Sequence, residues 1–325
     1  MRRVAAVVLP GFRVALVRAR SPDVAPRDPL AVVVSADRTE HSISGGTRID
    51  EVSDEARALG VLPGATIASA KAKCSDLRVR VLAPAEATRA LEGLAETLLQ
   101  LGAITSPLLD RDAVVVDVTG CAHLHSTEEK LLEAIVRMVG RAGFACHAAV
   151  ASGPEIAWAL AWSGGSSIFG GVVRDEDTLC ALGSLPIDVL RLDADTTSYF
   201  YRLGVRTIDR LRALPRAALT ARLDTSASRR PAFGGSVDST LIARVRALLD
   251  GDDRTPINRH QTVQVIEERA ELEYGIEHHE ALFFVLRPLC ERLSARLEGR
   301  YARAARIEVV LELDRALCKP DQRIV

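Results

Sequence analysis

At 325 residues the chain exceeds what one hydrophobic core comfortably organises, so two or three domains are expected. Apolar residues make up 48% but aromatics only 4%, which leaves Leu, Val and Ala to do the packing. A net charge of -1 excludes a global basic field as the means of holding nucleic acid, so any such surface must be local.

Residues 4–9 form an apolar run that reads as a buried first strand. Arg2 and Arg3 precede it as they would in a secretory leader, but Pro10, Gly11 and Arg13 break the run and no cleavage site follows. No stretch of 18 apolar residues occurs, so no membrane span is expected. A second apolar run at 30–34 makes the opening βαβ-like. Ser53 is placed to cap a helix, with Asp54 and Glu55 in its first turn, Ala56 and Leu59 inside and Gly60 at its end. Pro63-Gly64 is a turn, and residues 65–74 form a second short helix.

Residues 85–101 read as a helix with Leu91, Leu94, Leu98 and Leu99 on its apolar face. The β-branched run at 113–118 is a strand ended by Gly120. A helix at 128–142, a strand at 144–150 and a helix at 155–162 follow, an α+β pattern up to about Gly171. From Leu179 the character changes to short helices and Pro-bounded turns. Residues 196–203 and 207–214 flank Gly204-Val205 as helix, hairpin, helix. Residues 226–239 read as a flexible excursion and 251–258 as a linker. Beyond them a strand at 262–274, a helix at 279–297 and a strand at 306–313 are expected.

Six cysteines stand at 74, 121, 146, 180, 290 and 318 with no Cys-x-x-Cys pair, the pattern of reduced thiols. Cys121, His123 and His125, with Cys146 and His147 further on, approach a zinc donor set. They lack the spacing that anchors one, and zinc is not expected. There is no P-loop and no Gly-x-Ser-x-Gly elbow.

Four blocks in order carry a resemblance. They are residues 6–17 (Ala-Val-Val-Leu-Pro-Gly-Phe-Arg-Val-Ala-Leu-Val) and 53–61 (Ser-Asp-Glu-Ala-Arg-Ala-Leu-Gly-Val). The third is 110–120 (Asp-Arg-Asp-Ala-Val-Val-Val-Asp-Val-Thr-Gly) and the fourth 203–211 (Leu-Gly-Val-Arg-Thr-Ile-Asp-Arg-Leu) with Leu214-Pro215. Together they resemble the Y-family (UmuC-like) DNA polymerases. The strings at 117–124, 157–161 and 281–287 are most similar to the catalytically inactive ImuB-type branch.

The resemblance implies an α+β fold with three parts. These are a palm and fingers at 1–178, a small helical thumb with a degenerate helix-hairpin-helix at 179–250, and a partial α/β little finger at 259–325. Only about one β-α-β half of that last domain is visible, so the chain is expected to stop within it. Nucleotidyl transfer in the family needs two Mg²⁺ held by carboxylates. The first metal-binding aspartate falls on Val8, the second of its Asp-x-Asp motif on Pro10, and the glutamate of the third block on Ala113. Asp112 alone is retained, enough for weak Mg²⁺ affinity at most. The sugar-screening aromatic falls on Arg13, the triphosphate-contacting tyrosine on Asp54 and a lysine on Trp158. Arg57 survives as a remnant nucleotide contact. In the thumb, Arg191-Leu192-Asp193 stands where the family carries Gly-Ile-Gly for close approach to DNA phosphate. Arg292, Arg296, Arg300 and Arg303 recur at helical spacing as a DNA-binding face.

The resemblance thus implies no catalytic activity and no cofactor. It implies a DNA-binding scaffold in DNA repair, translesion synthesis and damage-induced mutagenesis, cytoplasmic and nucleoid-associated. Its partners would be damaged or primer-template DNA, an error-prone C-family polymerase and an ImuA-like protein. No Gln-Leu-x-Leu-Phe-like peptide stands on a free arm, so sliding-clamp binding by that mode is not expected. Two alternatives stay open: an atypical active polymerase using Asp110 and Asp117, and a plain DNA-binding module.

Overall fold

A computed structural model describes residues 2–37, 39–102, 104–164, 171–216, 219, 239–260, 266–270, 272, 276 and 278–311. The chain divides into two compact units, Met1–Pro10 with Leu91–Thr262 and Gly11–Ala90 with Val263–Val325. This division differs from the expected three: residues 1–10 and 91–178 group with the thumb region, and residues 11–90 with the C-terminal region.

The first unit is built on a four-stranded sheet of order β5-β6-β1-β7, from β1 (Val4–Val8), β5 (Ile104–Leu108), β6 (Ala113–Asp117) and β7 (His147–Ala151). All three pairings are antiparallel. The two central strands, β1 and β6, are nearly all Val and Ala and are buried, the composition of strands covered on both faces. After the short helix α5 (Ala122–His125), two helices cover the sheet: α6 (Glu128–Arg141) packs on β7, and α7 (Pro154–Trp162) packs on β1 and β7. Helix α7 has no polar stripe: Pro154 through Ala161 are all buried.

The same unit continues through α8 (Thr178–Gly183), α9 (Ala194–Arg202), α10 (Ile208–Arg212) and α11 (Ser239–Asp250). Asp193 and Thr207 cap α9 and α10 by accepting the N–H of Thr196 and Arg210. Phe200, Val205, Ile208 and Leu211 enter the same core as α7 and β1. The helix-hairpin-helix of residues 196–214 is therefore present, with Gly204 at φ 74° in its turn. Arg191, at φ 51°, precedes it in a left-handed conformation unusual for a side-chain-bearing residue.

The second unit holds α1 (Phe12–Arg20) and a three-stranded sheet of order β3-β2-β4, from β2 (Leu30–Val34), β3 (Glu51–Val52) and β4 (Arg78–Leu82). Strands β2 and β4 are parallel. The crossover includes α2 (Asp54–Ala58) and α3 (Ile67–Lys73), capped by Ser53 and Thr66. The cap at Ser53 is the one read from the sequence. Helix α4 (Pro84–Thr97) runs from this unit into the first, and α12 (His279–Gly299) lies in the second.

The first strand runs close to the apolar run 4–9 read from the sequence: it ends at Val8, and α1 begins at Phe12. Pro10 donates no N–H, and Gly11 takes φ 69°, so the chain turns there. Strands β3, β4 and β5 are not among the elements expected from the sequence: β3 has only two residues and β5 is interrupted by Pro107, whereas the Arg-Val alternation of β4 is a period-2 signal that does mark a strand. Among the described residues no strand forms over 306–311 or 266–270; those at 306–311 are exposed, and the carbonyl of Glu267 is taken by the side chain of Arg296. The excursion expected at 226–239 lies, except for its last residue, outside the described residues.

Candidate functional site

The register of β1 against β6 makes Val8 and Ala113 direct partners, and the N–H of Leu9 donates to the carbonyl of Asp112 at 3.0 Å. The residues that the resemblance assigns to metal binding, Val8, Asp112 and Ala113, therefore converge at one end of the sheet. Val8 is 9% exposed and Ala113 fully buried. Neither has a side-chain oxygen, so this corner does not fit a pair of divalent cations. Among the described residues, no three His, Cys, Asp or Glu side chains group as metal ligands, the Cys121, His123 and His125 set included. Asp112 has φ 44°. Pro10 is exposed in the turn after β1.

Two other aspartates, Asp117 at the end of β6 and Asp110 in the turn before it, have different occupations. Asp117 is four residues along β6 from Ala113, about 13 Å away at extended spacing. Its carboxylate accepts the N–H of Thr119 and faces Arg2 at 3.8 Å. Asp110 accepts from Arg191 Nη1 at 2.7 Å. Burial works to raise the Asp110 pKa, but the hydrogen bond and charge of Arg191, with Arg111 adding to them, hold it below the ordinary value.

Beside this corner lies a buried charge network that residue patterns had not suggested. Glu155 receives two parallel bonds from Arg111, Nη1 to Oε2 at 2.9 Å and Nη2 to Oε1 at 2.8 Å, and a third from Arg244 Nε at 3.1 Å. The guanidiniums of Arg111 and Arg191 lie 4.9 Å and 5.9 Å from the ring centre of Trp158, itself stacked on Trp162. Trp158 thus serves as a surface for arginines, at the position to which the resemblance assigns a lysine. One clue was available: a lone carboxylate in the otherwise apolar helix α7 must find a charged partner.

In the second unit, Arg57 is about half exposed and its Nε lies 4.0 Å from Asp54, an exposed pair one helical turn apart. The four C-terminal arginines do not make one open face. Arg292 and Arg296 both turn to Glu268, at 3.1 and 2.7 Å, and Arg296 also donates to the carbonyl of Glu267. Arg296 is buried. Arg300 caps the end of α12 and Arg303 lies beyond it, exposed.

Among the described residues no helix is long and apolar enough to cross a membrane. The model of the impB/mucB/samB family matches residues 8–161. Protein ImuB of Caulobacter vibrioides is 31% identical over 169 residues, 52% of this chain and 36% of that protein, so the chain spans about a third of its curated relative. Among solved structures, DinB from Sulfolobus solfataricus aligns with a TM-score of 0.57 at 16% identity, over 79% of this chain and 69% of the other. A Y-family polymerase chimera of Dbh and Dpo4 aligns at 0.61 and 16%, over 80% and 70%. An insertion ternary complex of Dbh DNA polymerase aligns at 0.59 and 15%, over 78% and 69%. Residues 8–161 are thus similar to the impB/mucB/samB family, and the chain carries the fold seen in Y-family DNA polymerases.

Proposed function

We propose that this protein binds DNA as a non-catalytic member of its family, a scaffold in translesion synthesis, DNA repair and damage-induced mutagenesis. One observation carries the reading: Val8 and Ala113 are register partners at the corner where polymerases of this family place metal-binding carboxylates. Two Mg²⁺ a few ångströms apart need several oxygen ligands between them. Asp112 alone cannot supply these. The atypical polymerase is disfavoured by geometry, because Asp110 is engaged by Arg191 and Asp117 lies at the far end of β6.

DNA contact falls to exposed arginines, with Arg303 better placed than Arg292 and Arg296, which turn to Glu268, or Arg300, whose Nε and Nη2 are buried. Arg57 would add a phosphate contact from the second unit, weakened by Asp54. Partners that supply synthesis, an error-prone C-family polymerase and an ImuA-like protein, follow from the likeness to ImuB, as does a place near the nucleoid. The division into palm and fingers, thumb and little finger remains the functional reading of the chain. Primer extension with Mg²⁺ or Mn²⁺, run beside a DNA-binding titration, tests the proposal: binding without templated incorporation supports it. A plain DNA-binding module would bind equally well but would fail to retain a replicative polymerase in a pull-down.

A further inference from the structure

We infer that Arg111, Glu155, Arg191 and Arg244, with Asp110 and Trp158, form a latch that fixes the β5–β6 hairpin to the thumb region, so that palm and thumb move as one body. Four segments distant in sequence meet in it. The hairpin between β5 and β6 supplies Asp110 and Arg111, α7 supplies Glu155 and Trp158, the turn before α9 supplies Leu190 and Arg191, and α11 supplies Arg244.

The inner layer is the triad. Arg111, Glu155 and Arg244 have side chains only 7%, 9% and 7% exposed. Three charge-assisted bonds converge on one carboxylate, two of them in the parallel fork geometry that fixes direction as well as distance. Arg244 also donates from Nη1 to the carbonyl of Leu190 at 3.1 Å, so the carboxylate on α7 is joined to the turn before α9 through α11. Burial pulls the Arg244 pKa below its ordinary value, and the Glu155 charge works against that fall. Two guanidiniums around one carboxylate leave an excess positive charge, and the face of Trp158 lies under Arg111 to receive part of it.

The outer layer repeats the connection from the other side. Arg191 donates from Nη1 to the Asp110 carboxylate at 2.7 Å and from Nη2 to the Asp110 carbonyl at 3.0 Å. Two consecutive hairpin residues are therefore each tied to the segment around residues 190–191, one directly and one through Glu155 and Arg244. Removing Glu155 leaves two guanidiniums without their shared carboxylate in a poorly solvated place, and removing Arg244 keeps the Arg111–Glu155 pair but cuts its link to Leu190. The outer pair is exposed and weak alone. Their combination makes the hairpin that carries Asp112 a fixed part of the thumb interface.

Hydrogen exchange of the full chain tests this. Arg244 bonds to Glu155 and Leu190, neither of which is in the hairpin. Arg244→Met should nevertheless speed exchange of residues 108–112 about tenfold, together with residues 187–192, while the β1 amides stay protected. Arg191→Ala, at a half-exposed position, should do the same to a smaller degree while leaving the fold intact. It keeps the idea testable if the Arg244 variant does not fold. Exchange that rises only beside each substituted residue, with the hairpin unchanged in either folded variant, would overturn the latch.

Discussion

The carboxylate of Asp253 occupies the space that a side chain at Gly153 would need: a Cβ built on Gly153 would stand 2.4 Å from it. From there Asp253 accepts the N–H groups of Glu155 at 2.6 Å and Ile156 at 3.2 Å, capping α7 from a residue about a hundred positions later. Asp253→Ala should therefore cost about 1–2 kcal/mol, as loss of a helix cap does. Gly153→Ala should cost a comparable amount by displacing the carboxylate. Urea unfolding checks both, and the double variant should be less than additive because the two lesions remove the same contact. Full additivity would contradict a shared cause.

The C-terminal arginines should separate into two classes. Arg296→Glu sets a charge against Glu268 in a buried position, and should lower the melting temperature by several degrees. Arg303→Glu should leave the melting temperature within about a degree and weaken DNA binding, with a shallower salt dependence. If both variants melt like the parent and bind DNA alike, the assignment of these roles fails.

What was legible in the sequence was what local chemistry determines. The apolar runs that became β1, β2 and β6, the cap at Ser53 and the helix-hairpin-helix around Gly204 follow from burial period, capping and glycine freedom. What was not legible depended on distant partners. Arginines spaced like a DNA-binding face say nothing of Glu268, which captures two of them. The resemblance sets Arg191 against the family's glycines, and only the fold reveals that its side chain reaches back to Asp110. Glu155 in an apolar helix signalled a partner, but not which. The strand expected at 306–313 had the right composition and, among the described residues, lacked a neighbouring strand to pair with.

Thiol chemistry should follow burial. Burial pushes the Cys146 thiol up to about 11, so at pH 8 it remains a thiol and reacts slowly. Cys180 and Cys290 are exposed. Mass spectrometry after brief labelling with iodoacetamide at pH 8 should find these two modified before Cys146 and the buried Cys74. Raising the pH toward 11 should bring Cys146 into reach, since its anion forms only there. Early labelling of Cys146 at pH 8 would contradict its burial.

Restoring carboxylates should not restore a polymerase. Val8→Asp with Ala113→Glu puts two charges at a buried corner, which should destabilise the fold by about 3 kcal/mol. The nucleotide would still meet Arg13, Asp54 and Trp158 in place of the family's aromatic, tyrosine and lysine. The double variant should melt lower and incorporate no nucleotide. Templated incorporation by that variant would mean that the rest of the nucleotide grip is intact.

The most direct test of the central claim is one preparation of the unaltered protein assayed twice. In the first assay, binding to primer-template DNA is followed by anisotropy across a salt series. In the second, extension of the same DNA is measured with all four nucleotides and Mg²⁺ or Mn²⁺. The account predicts binding that falls steeply with salt and is indifferent to sequence, with extension at background under both metals. Extension above background that disappears on Asp112→Ala would contradict it.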